Sequence, residues 1–66
     1  MMYVARKKRD DLHPRFYVRE KLFIDSKFIH CYHNEAYIYT CKMNDGETVE
    51  QCIERLRQDG YSISTT

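Results

Sequence analysis

Thr48-Val49-Glu50-Gln51-Cys52-Ile53-Glu54-Arg55-Leu56-Arg57-Gln58-Asp59-Gly60 is the stretch whose reading decides the fold. Thr48 and Gln51 have the spacing of a capping box, in which each side chain satisfies the other's backbone N–H. Glu47 and Glu50 place negative charge at the positive end of the helix dipole. Val49, Cys52, Ile53 and Leu56 recur at i, i+3, i+4, i+7 and form one apolar stripe. Glu50, Glu54, Arg55, Arg57 and Gln58 fall on the wet side. Gly60 stands where a left-handed residue ends a helix. The pattern predicts one amphipathic helix over about 49–59. A single helix of this length is marginal alone, so its stripe needs a surface to cover.

That surface lies upstream. Lys27-Phe28-Ile29-His30-Cys31-Tyr32 and Ala36-Tyr37-Ile38-Tyr39-Thr40-Cys41-Lys42-Met43 read as strands around His33-Asn34-Glu35. Asn34 tolerates positive φ and suits a tight hairpin. A two-residue loop pairs His33 with Ala36 and Phe28 with Cys41. Phe28, His30, Tyr32, Tyr37, Tyr39 and Cys41 then share one face; Ile29, Cys31, His33, Ala36, Ile38 and Thr40 share the other. Which face the helix covers is left open. Residues 16–24 read as strand from their aromatic and β-branched content, although Pro14 could instead open a helix there. In the strand reading Phe16, Val18, Glu20 and Leu22 share a face. Asp25-Ser26 and Asn44-Asp45-Gly46 are turns. Met2–Ala5 is a short first strand, residues 6–15 a loop, and Tyr61–Ser64 a final strand. The expectation is an α+β fold: a small antiparallel sheet of three to five short strands with one helix across one face, in the order β-β-β-β-α-β. The 66 residues are read as a single small domain.

Composition narrows the classes. The charged fraction of 32% and aromatic fraction of 14% describe a folded chain with a soluble surface. No apolar run approaches the roughly 20 residues that span a bilayer. No secretory h-region is present, and the three cysteines are an odd count, so free thiols and a cytoplasmic location are expected. Residues 1–33 carry eight Lys/Arg against four Asp/Glu, and residues 34–66 three against six. The halves are therefore oppositely charged.

Four chemistries draw on residue types this chain contains. His30, Cys31, His33, Cys41 and Cys52 are zinc-ligand types, but no Cys-x-x-Cys or helical His pair is present. In the two-residue-loop register Cys31 and Cys41 lie on opposite faces; a three-residue loop would put both on one face but about 13 Å apart, too far to share an ion. His33 and Cys31 do share a face. No metal or other cofactor is expected. Cysteine catalysis needs a thiol, an imidazole and an orienting group that converge; Cys31 and His33 stand side by side, and Cys52 lies in the apolar stripe. The chain is read as not an enzyme. Protein binding is the leading expectation, with Tyr32, Tyr37, Tyr39, Arg15 and Arg19 as contact residues, since Tyr and Arg dominate interface hot spots. Self-association fits the same surface. By size and composition alone, the chain is analogous to small phage or mobile-element accessory proteins that block a host enzyme, including enzymes that handle nucleic acid. The alternative is direct RNA or single-stranded DNA binding, with Arg6, Lys7, Lys8 and Arg9 for phosphates and an aromatic sheet face for bases.

Overall fold

The computed structural model describes residues 2–11, 15 and 17–65. It contains β1 (Tyr3–Arg9), β2 (Val18–Ile24), β3 (Phe28–His33), β4 (Ala36–Lys42), α1 (Val49–Gln58) and β5 (Ser62–Thr65). The strands form one sheet in the order β4-β3-β2-β1-β5, with every neighbouring pair antiparallel. This is the α+β arrangement and the element order read from the sequence.

Local chemistry sets each turn. Asp25 Oδ1 accepts the backbone N–H of Lys27 at 2.8 Å and of Phe28 at 2.7 Å, which folds β2 back into β3. At the β3–β4 turn Asn34 and Glu35 take φ of 50° and 71°, the positive values a two-residue hairpin demands. Asn34 also joins the turn to β2. Its N–H donates to the Arg19 carbonyl, and its Oδ1 accepts the Arg19 N–H, each at 2.9 Å.

Both halves of the capping box form: Gln51 N–H donates to Thr48 Oγ1 at 3.1 Å, and Thr48 N–H to Gln51 Oε1 at 2.9 Å. At the other end Gly60 takes φ of 98°. Its N–H donates to the Arg57 carbonyl and that of Tyr61 to the Leu56 carbonyl, both at 3.0 Å. This paired closure satisfies carbonyls that the helix leaves orphaned.

The helix covers the face carrying Ala5, Leu22, Ile24, Ile29 and Cys31, against which it buries Cys52, Ile53 and Leu56. Ile53 and Leu56 are each worth about 1.5–3 kcal/mol on burial, which helps hold a helix too short to persist alone. On the other face Val4 is the single buried residue among those described.

Two expectations change. The loop expected over 6–15 begins later, because Arg6, Lys7, Lys8 and Arg9 continue β1. Pairing with β2 supplies the ladder that the local sequence does not advertise; residues 12–14 and 16 lie outside the described residues. The hairpin register changes as well. His33 pairs with Ala36 and Tyr32 with Tyr37 as expected, but Cys31 then pairs with Tyr39, leaving Ile38 as a bulge. Phe28 therefore faces Lys42 rather than Cys41. Beyond the bulge, Tyr39 and Cys41 move to the helix side and Thr40 to the open side.

Candidate functional site: a cationic and aromatic open sheet face

Strand alternation sorts the basic residues of β1. Lys7 and Arg9 point to the helix side and are engaged there. Lys7 Nζ donates to the Asp59 carbonyl at 2.6 Å and sits 5.2 Å from the centre of the Tyr61 ring. Arg9 donates to Asp11 and, through Nη1 at 3.2 Å, to Glu20. Arg6 and Lys8 point to the open side. There Arg6 pairs with Lys21 and Lys8 with Arg19 across the β1–β2 ladder. Four cations thus occupy a two-by-two block on neighbouring strands. None of them makes an ion pair among the described residues. Their few contacts leave the charge intact. Arg6 Nη1 donates to Ser64 Oγ at 2.9 Å, Lys8 Nζ lies 5.2 Å from the Tyr17 ring centre, and Lys21 Nζ lies 5.8 Å from that of Phe23.

Aromatic rings continue the face toward β4. Phe23 meets Tyr32 edge-on at 5.3 Å between centroids, and Tyr32 meets Tyr37 at 5.6 Å. Tyr37 is 59% exposed. Its hydroxyl bonds to Thr40 Oγ1 at 3.0 Å, and His30 links Thr40 to Asp25, which fixes the far corner of the face. Arg6, Lys8, Arg19 and Lys21 line a groove of about 570 Å³ with Lys7, Glu20, Asn34, Glu35, Gly60 and Ser62. A shallower depression of about 290 Å³ lies among Lys21, Phe23, Tyr32 and Glu35. Lys21 and Glu35 border both, so the cationic and aromatic parts are continuous.

The expected contact residues therefore divide. Tyr32, Tyr37 and Arg19 meet on the open face with Arg6 and Lys8. Tyr39 stands on the helix side of the edge strand, half-exposed, with its hydroxyl beside the Cys31 thiol. Arg15 is exposed outside the strands. Lys7 and Arg9 serve the covered side. Lys21 and Phe23 were missed as site residues, although their alternation within residues 16–24 already put them on the face of Arg19.

The covered side holds a polar centre. Glu20 is 5% exposed and accepts from Tyr61, Arg9 and His33, the last through Nε2 at 3.0 Å. Burial pushes its carboxyl up, but these donors more than offset that and hold it below the ordinary range. Burial first, and then the charge of Glu20, push the Cys31 thiol up.

Compared with known protein families, curated proteins and solved structures, the chain matches none. Among the described residues no helix is long and apolar enough to cross a membrane.

Proposed function

We propose that the protein binds single-stranded nucleic acid on the open face of its sheet. The observation that carries this reading is the unneutralised block of Arg6, Lys8, Arg19 and Lys21, continuous with the rings of Phe23, Tyr32 and Tyr37. Like charges placed directly opposite in a ladder weaken a sheet. A fold keeps such a conflict where function uses it. Phosphates bind the cations, and bases stack on the rings, as on other open sheets that take two or three bases. At about 4.8 Å between strands, the face from β1 to β4 spans roughly 14 Å. Duplex bases are already stacked and have no use for these rings. Glu35, at the junction, accepts hydrogen bonds from base amino groups.

Titration of labelled single-stranded RNA and DNA oligonucleotides, read by fluorescence anisotropy, tests this. With four phosphate contacts, log affinity falls against log salt with a slope of about −3. Absence of binding at low salt overturns the reading, as does a slope unchanged in the Lys8→Gln, Arg19→Gln double variant.

One observation favours a protein partner as a second reading. All seven residues of β4 are exposed, and Tyr37, Ile38 and Tyr39 stand together on an unpaired sheet edge. Such an edge accepts a partner strand. In this reading the chain is a small non-catalytic accessory or inhibitory protein. A pull-down after nuclease treatment then retains a stoichiometric protein, and Ile38→Lys releases it.

A further inference from the structure

Three donors of different chemistry converge on the helix-covered side. A donor atom from each of Glu20, Cys31 and His33 lies within 4.8 Å of the other two. The register explains the meeting. Glu20 is directly opposite His33, and Cys31 is the next residue on that face of β3. His33 Nε2 lies 3.0 Å from Glu20 Oε2. Two such ligands on a tetrahedral zinc ion, with bonds of about 2.0–2.1 Å, sit about 3.3 Å apart. The thiol sulfur lies within 4.8 Å of both atoms and must close to about 3.6 Å from them to complete a bond of about 2.3 Å. One sulfur, one nitrogen and one oxygen suit a borderline-soft divalent ion.

The surroundings also fit. Tyr61 and Arg9 donate to the Glu20 carboxylate, and the Tyr39 hydroxyl borders the Cys31 thiol. Groups that hold ligands in this way orient them toward an ion. The charge of Arg9 is shared with Asp11, to which its Nε and Nη2 donate at 3.2 and 2.8 Å. Cys31 is fully buried, whereas the His33 side chain is 25% exposed and gives an ion a way in.

We propose that Glu20, Cys31 and His33 form a three-ligand zinc site whose fourth position is open to water. Binding releases the Cys31 thiol proton to solvent, and sulfur coordinates as thiolate. His33, whose Nε2–H donates to Glu20 when no ion is bound, coordinates through Nε2 after its proton shifts to Nδ1. The site lies on the opposite side of the sheet from the proposed nucleic-acid face and does not rest on that reading.

The test is titration of the reduced full chain with cobalt(II) as a spectroscopic stand-in. The expected result is stoichiometric binding, with thiolate-to-cobalt charge transfer in the near ultraviolet and release of a proton. Cys31→Ser removes the band, whereas Cys41→Ser and Cys52→Ser keep it. No band at millimolar cobalt overturns the proposal, as does a band that survives in Cys31→Ser. Should circular dichroism show Cys31→Ser unfolded, His33→Gln decides, because that residue is on the rim. At least a tenfold loss of cobalt affinity supports the site, and unchanged affinity overturns it.

Discussion

The two faces of this sheet are built from the same strands and follow opposite rules. On the covered side, Ala5, Leu22, Ile24, Ile29 and Cys31 meet the helix, and the charged groups there have partners: Lys7 at the helix end, Arg9 and His33 on Glu20. On the open side, Arg6 faces Lys21 and Lys8 faces Arg19, and none of the four makes an ion pair among the described residues. The difference teaches where stability and function reside. One face satisfies its groups internally, and the other leaves charge and ring surface unspent.

Mutation separates the two most sharply at the core. Ile53→Ala, on a residue 6% exposed, should lower unfolding free energy by about 2–5 kcal/mol in urea titrations. Oligonucleotide affinity per folded molecule should stay unchanged. The reverse holds at Tyr37. Tyr37→Ala should weaken oligonucleotide binding by about 1–3 kcal/mol and move stability by less than about 0.5 kcal/mol. Equal losses in both assays would erase the distinction between the faces.

A subtler variant sharpens it. Lys8→Gln with Arg19→Gln should bring the salt slope from about −3 to about −1.4. The same double change should raise stability by a few tenths of a kcal/mol, because it relieves a like-charge pair. A gain in stability alongside a loss of binding is the signature of residues kept for function.

The smallest effect is in acid. The backbone N–H of Lys27, then His30 and the N–H of Phe28, hold the Asp25 carboxyl down from 3.8 to about 2. A group whose folded value is depressed stabilises the fold above its unfolded value and loses that contribution as pH falls through the folded one. The window is therefore from about pH 4 down to about 2. Asp25→Asn should flatten the pH dependence of the urea midpoint within that window and lower the midpoint at neutral pH, where the carboxylate contributes in full.

Sequence reading reached the features whose cause is local. Thr48 and Gln51 are three residues apart, Asn34 sets its own turn, and Val49, Cys52, Ile53 and Leu56 display a helical period. The alternation of residues 16–24 also placed Glu20 with Leu22. Features caused by distant chain escaped it. Arg6–Arg9 read as loop because four consecutive cations followed by two aspartates carry no strand signal; β2 and β5 on either side of β1 impose the extended form. The bulge at Ile38 left no local mark, since Tyr37-Ile38-Tyr39 alternates equally well in either register. It sends Tyr39 away from the face where the sequence put it. The donors around Glu20 come from β1, β3 and the segment after α1, so none of its neighbours in sequence announces the cluster.

The placement of β5 has a consequence for how the molecule is made. Tyr3 is the ladder partner of Thr65, so the earliest strand is locked on one side by the latest. The four-strand meander is assembled from neighbours in the chain and can form as it emerges during synthesis, but the α1–β5 arm that seals it arrives last. Closing a loop of nearly the whole chain is the slow, entropically costly event. A nascent chain that ends before Thr48 lacks the helix and leaves Leu22, Ile24 and Cys31 uncovered.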